Sequence, residues 1–271
     1  MTIYIYIMPN TKKTVSSSED FDSDIFEQAA VALQLASVTN DSEVHKHHHR
    51  KGQLILSVHG AVSCEVPNAL WLVPPQHAVW IPSGIPHSCR VTQNARTCFL
   101  FVEPSAASMP EYCCTIAITP LVRELILYLA EQEPSYSSES KTARLVTVLL
   151  EQLSDAPIEE LHLPISEHPK IRHISDTLFA DPSDRTTLRQ WAEQLATSER
   201  TLARLVKNDT GLSFGRWRQQ LHLMIALSKL AEGESVQNVA GMLGYDSVNA
   251  FITMFKKSLG KSPTQYFSSL H

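Results

Sequence analysis

The sequence predicts two domains: an all-β barrel or sandwich followed by helices, then an all-α domain in which two helix-turn-helix units are joined by a long helix. Three observations predict this. The pattern LRQWAEQLATSERTLARLVK from Leu188 returns as VQNVAGMLGYDSVNAFITMFK from Val236, an internal repeat of short apolar helix, small-residue turn and second helix. Between residues 25 and 102 the apolar runs have strand length and are broken by Pro and Gly. The charge is also split: Pro164–His271 holds 13 Lys and Arg against 10 Asp and Glu, residues 1–163 hold 10 against 18, and the 271-residue chain as a whole is net −5. Only the C-terminal part has the charge to face an acidic polymer, and only modestly.

In chain order, residues 1–24 include the polar, turn-prone TKKTVSSSEDFDSD and read as a loosely held arm. VALQLAS, QLILSV, ALWLV, HAVWI, SCRV and TCFLFV read as strands of a barrel domain over 25–153, with Trp71 and Trp80 as core or pocket wall. The five cysteines (Cys64, Cys89, Cys98, Cys113, Cys114) are odd in number and lack a Cys-x-x-Cys, as expected of reduced thiols in a cytoplasmic protein. MTIYIYIM has no basic leader or cleavage site, and no apolar run approaches the roughly 18 residues of a membrane span. Beyond Pro120, two segments have helical spacing. In the second, Ala143, Val146 or Thr147, Leu150 and Leu153, widened by Leu145 and Leu149, form a stripe that needs cover, from its own barrel or, the preferred reading, from the same helix of a second subunit in a homodimer. Residues 154–169, with three prolines, read as the linker, and 170–271 as the helical domain.

The histidines cluster at His45, His47, His48 and His49, and return at His77 and His87. Residues two apart on a strand share a face, so His47 and His49 can project together. His-x-His is followed by Gln53 and Gly60, and Pro82-x-Gly84-x-x-His87 comes later. These spacings resemble the paired motifs of the cupin β-barrel, in which two His, an acid and a third His converge on one metal. The sequence departs from that pattern at Gln53, Gln76 and Val91, where the family usually has Glu, Gly and Asn. Three imidazoles suffice for Zn²⁺ or Ni²⁺ with one position open. The same residues, His47, His49, Gln53 and His87, equally suit an effector pocket without metal, or an exposed histidine patch.

In the helical domain, KIRHISDTLFA reads as an entry helix stopped at Asp181-Pro182. Gly211 closes the first unit, Ser213 is positioned to cap the joining helix, and Phe214, Trp217, Leu221, Met224, Leu227 and Leu230 give that helix one apolar stripe. Ser198 and Ser247 open the second helices of the two units, the position that enters a DNA major groove in such motifs. SERTLARL, TGLSFGRWR, VAGMLGYDSVNAFITMFKK and GKSPTQY together resemble the DNA-binding domain of AraC/XylS-family transcriptional regulators, over residues 170–267.

The resemblance implies a regulator of promoter DNA controlled by a small molecule or a metal, with RNA polymerase as a further partner of an activator; a metal-dependent cupin enzyme is the alternative from another class. Helical spacing leaves Glu199, Arg200 and Arg204 facing outward on the first reading helix and Val248, Asn249 and Thr253 on the second. Arg suits guanine, Asn adenine, Glu cytosine and Val a thymine methyl. Ser198, Arg216, Arg218, Ser247, Lys256, Lys257, Lys261 and Ser262 are the phosphate candidates. The first helix is expected to carry most of the specificity.

Overall fold

Burial along each strand shows how many faces its sheet has covered. TCFLFV is buried at every position and HSCRV at every second one, so the first lies in a sheet covered on both sides and the second in a sheet open to water on one. The computed structural model describes residues 4–6, 21–37, 42–60, 62–73, 77–91, 95–159 and 161–268. It divides into one unit running to Leu161, without Asn68–Leu70, and another from His162 to His271.

The first unit is built on two sheets. The strands are β1 (Tyr4–Tyr6), β2 (Ala30–Ser37), β3 (Ser42–His47), β4 (Gly52–His59), β5 (Val62–Val66), β6 (Ala69–Val73), β7 (His77–Ile81), β8 (His87–Val91), β9 (Arg96–Val102), β10 (Cys114–Ala117) and β11 (Ile158–Glu159). One sheet has the order β1-β2-β9-β4-β7-β10-β11, and β6-β5-β8-β3 are neighbours in the other. Helices α1 (Pro120–Ala130) and α2 (Lys141–Ser154) cover the first sheet. Val122, Ile126 and Leu129 of α1 and Val146, Leu149, Leu150 and Leu153 of α2 share one core with Leu54, Leu56, Trp80, Leu100 and Ile116. Thr119 and Ser140 cap these helices through Val122 N and Ala143 N.

Four expectations change here. The α2 stripe is covered by its own barrel and by α1, not reserved for a second subunit. The end of the arm is held: Asp22 caps a 3-10 turn at Ser23–Ile25, Phe21 lies against Phe26 and Phe101, and Tyr4–Tyr6 pairs with β2, while residues 1–3 and 7–20 lie outside the described residues. The 154–169 segment is structured on either side of the boundary between the units: it contributes β11 to the first sheet and buries Leu163, Pro164 ends a short strand and Pro169 opens a helix. Strands β3, β5 and β10 have sequences too polar or too short to stand out. Gln76 lies outside the described residues.

The second unit is helical: a short strand β12 (His162–Pro164), then α3 (Pro169–Ala180), α4 (Leu188–Gln194), α5 (Glu199–Thr210), α6 (Phe214–Ala231), α7 (Val236–Met242), α8 (Val248–Leu259) and α9 (Pro263–Ser268). The central α6 buries Phe214, Trp217, Leu221, Leu223, Met224, Ala226 and Leu227, and Trp217 Nε1 donates to Pro164 O at 2.8 Å. Ser213 occupies the N-cap position of α6, but its side chain makes no capping bond. Among the described residues no helix is long and apolar enough to cross a membrane.

Candidate DNA interface and effector site

The two helix-turn-helix units have one framework. α5 and α8 are each 12 residues long. Ser198 accepts from Thr201 N and Ser247 from Ala250 N, so both predicted phosphate-binding hydroxyls serve as caps. Both helices end at a left-handed glycine, Gly211 and Gly260, with φ of 74°. The turns before them also bend left-handed, at Ala196 with φ of 48° and Gly244 with φ of 71°. Each first helix has a carbonyl at its C-terminal end bonded by a cation from elsewhere in the domain: Lys170 Nζ donates to Leu195 O at 2.8 Å, and Arg185 donates to Gly244 O. Repeat comparison cannot reveal these cations, because neither lies inside the repeat.

What the helices present differs. Leu202 and Val206 of α5 are buried, and Glu199, Arg200, Arg204 and Lys207 are exposed. On α8, Phe251, Met254 and Phe255 are buried, Asn249 and Thr253 are exposed, and Val248 is half-buried, which leaves it only part of a surface. Thr253 Oγ1 donates to Asn249 O at 2.8 Å, so its proton is already used. Ser262 pairs reciprocally with Gln265 at the start of α9: Ser262 N donates to Gln265 Oε1 at 3.2 Å and Gln265 N to Ser262 Oγ at 3.4 Å.

The cations of this unit sort into two groups. Arg172, Arg185, Arg189 and Lys229 form ion pairs with Glu167, Asp246, Glu193 and Glu232, and Lys170 and Arg218 donate to backbone carbonyls. Arg200, Arg204, Lys207, Arg216, Lys256, Lys257 and Lys261 are exposed and make no side-chain bond to the described residues. Those seven of the 13 include six of the predicted phosphate and base readers, Lys207 being the addition. Arg218 is the exception and a correction: it is half-buried, donates to Thr186 O, and lies 4.7 Å from the Phe214 ring centre, so it braces the fold.

In the first unit, β3 and β8 bring the histidines together. His47 and His87 are opposite each other across the two strands, with ring centres 4.4 Å apart, and His49 joins them from the loop after β3, 5.1 Å from His87. Their ligand atoms all lie within 4.8 Å of one another. Each Nδ1 faces a nearby backbone carbonyl: His45 O for His47 at 2.8 Å, Lys51 O for His49 at 2.6 Å, Ile85 O for His87 at 2.8 Å. Nδ1–H donation fixes the tautomer and leaves every Nε2 with a free lone pair, the arrangement that orients imidazoles toward a cation. His87 Nε2 is buried with no hydrogen-bond partner among the described residues. Burial, and then the neighbouring histidines, push His87 down to about 4, so it is neutral at pH 7. Gln53 Oε1 sits 3.0 Å from His49 Nε2; the amide satisfies that nitrogen by turning its NH₂ inward, or both bind one cation. The donor set therefore fits a divalent metal such as Zn²⁺ or Ni²⁺.

The loop that carries His49 is tightly held, and its anchors were not singled out in the sequence. Asp24 accepts from Arg50 N at 2.6 Å and Lys51 N at 3.2 Å, Gly84 N donates to His49 O at 3.0 Å, and fully buried Lys51 reaches Glu103 at 2.7 Å and Gln28 O at 3.1 Å. Of its two expected places, core or pocket wall, Trp80 takes the core. Gln53 pairs with Ile81 and Leu54 with Trp80, so Trp80 points away from the histidines into the core under α1 and α2, where its ring covers Gly52. Trp71 is buried on β6.

Two family models match in the same order as the two units: an AraC-like ligand binding domain over residues 29–163 and a helix-turn-helix domain over 191–269. The chain is 52% identical over 250 residues to the HTH-type transcriptional regulator NimR of Escherichia coli K12, covering 92% of each. It is 31% identical over 103 residues to the regulator RipA of Corynebacterium glutamicum, covering 38% of this chain and 31% of RipA. Among solved structures, ToxT of Vibrio cholerae O395 aligns with 89% of this chain and 97% of its own at 13% identity and a TM-score of 0.39. Half identity across nine tenths of a regulator, with both domains matched, places the chain in the AraC-type family of HTH transcriptional regulators, DNA-binding proteins controlled through a ligand-binding domain.

Proposed function

We propose that α5 reads bases through Arg200 and Arg204, with Glu199 beside them, while α8 contributes Asn249, Thr253 and the exposed part of Val248. Arg216, Lys256, Lys257 and Lys261 hold phosphates, helped by the helix starts at Ser198, Ser247 and Ser262. The observation that carries this reading is the sorting of cations: those on and beside the two reading helices have no side-chain partner among the described residues, and those elsewhere in the unit are engaged. Selection of bound fragments from random DNA with the full chain tests it. Arg204→Ala should weaken the selected site by about 2 kcal/mol and relax one base position. An equal loss on all sequences assigns Arg204 to the backbone instead.

The effector site proposed for the first unit is the His47, His49, His87 and Gln53 cluster, and the buried Nε2 of His87 favours a metal-responsive reading within it. Metal analysis of the purified chain should find about one Zn or Ni per chain, lost in His87→Ala; a metal-free chain that still responds to an organic effector leaves the pocket reading. The two readings give a regulator in the cytoplasm, not an enzyme. A homodimer would use the surface that α1 leaves open, where Leu121 and Tyr128 are 53% and 51% exposed and Val148 of α2 is 44% exposed. RNA polymerase is the further partner if the protein activates.

A further inference from the structure

The two reading helices are connected in the chain through α6, but a second link joins them through space. Arg185, in the segment before α4, donates to Gly244 O and pairs with Asp246 at 2.7 Å, just ahead of the cap of α8. Gly244 itself abuts the same segment: a Cβ there would stand 2.9 Å from Ser183 O. Thr187 caps α4 in a capping box, and the neighbouring Thr186 O takes a bond from Arg218 of α6. A closed circuit therefore runs from the start of the first unit to the turn of the second and back through α6.

We propose that Arg185, Asp246 and Gly244 are positioning residues that set the separation and angle between α5 and α8, and so the spacing between the two DNA segments the domain accepts. A one-base-pair change in spacing moves a segment by about 3.4 Å along the duplex and rotates it by about 35°. A helix held only by a single strut follows part of that shift, whereas one also tied through Arg185 does not. None of the three residues needs to touch DNA for this. The proposal rests on the reading of α5 and α8 as the two DNA readers.

The test is selection from random DNA with the full-length wild-type chain, Arg185→Ala and Arg185→Lys, followed by affinity measurements on sites lengthened or shortened by one base pair. The wild type should enrich two short motifs at one spacing and discriminate against a shifted site by about tenfold. Arg185→Ala should enrich the same two motifs over several spacings, with discrimination falling below about threefold, and Arg185→Lys should restore part of it. A variant that keeps the single spacing overturns the proposal, as does loss of both motifs together with helical content intact. If Arg185→Ala does not fold, Asp246→Asn on an exposed side chain carries the same expectation. Failure of the underlying DNA reading looks different, because the wild type itself would then enrich no pair of motifs.

Discussion

The two helix-turn-helix units are alike in frame and unlike in face. Their second helices have equal length, the same serine cap and the same glycine stop. Yet α5 shows water two arginines one turn apart, and α8 shows an asparagine, a threonine whose proton is spent, and a half-buried valine. What the repeat preserves is what folding needs: caps, a left-handed turn, and apolar positions spaced to meet α6. The exposed face is free of those demands. The turn, however, is solved in two ways, by an exposed alanine at Ala196 and by a glycine at Gly244 that is pressed against another segment.

Exchanging the turn residues is the strongest way to break this comparison. Gly244→Ala adds left-handed strain and a clash with Ser183 O, and should destabilise the full chain by about 3 kcal/mol, read by calorimetry. An effect under about 1 kcal/mol would mean that the segment moves aside freely.

Acid should weaken the second unit's surroundings through His222, which bonds Tyr245 at 3.4 Å. Burial, and then the Arg218 charge, push His222 down to about 4. Since its folded value lies below the unfolded one near 6.5, the unfolded chain takes up the proton first; the stabilisation is full above pH 6.5 and is lost as pH falls toward 4. His222→Leu should therefore flatten the pH dependence of melting over that window relative to wild type, leaving the part due to His87, which both chains keep.

On the reading faces, Asn249→Ala should cost about 1 kcal/mol on the selected site, half of the loss at Arg204, because a neutral amide bond is weaker than a guanidinium bond. Equal losses would erase the proposed inequality of the two helices. Smallest is Ala196→Gly, expected to gain about 0.5 kcal/mol, left-handed strain relieved less the added freedom of the unfolded chain.

The frame was legible because its signals are local. Ser198, Gly211 and the α6 stripe from Phe214 to Leu227 announce a cap, a stop and a buried face by spacing alone. The histidine site was legible for the same reason at His47 and His49, and through a motif at His87. Lys51, Asp24, Lys170 and Arg185 escaped because each acts on a partner 25 or more residues away, and nothing in a charged residue's neighbours says whether it will be solvated or enclosed. Arg218 was misplaced by the same blindness, and Trp80 was left between core and pocket wall because strand register, not composition, decides which face of the sheet it takes.

The seven uncommitted cations also bear on how the protein finds a site. Each one that neutralises a phosphate releases condensed counterions, whatever the sequence beneath it. A domain presenting all seven would bind any duplex with an affinity that falls by about the sixth power of salt concentration. Most encounters would then be with the wrong DNA, held loosely enough to slide. The search for an operator would run along the duplex, and the arginines of α5 would only have to recognise when to stop.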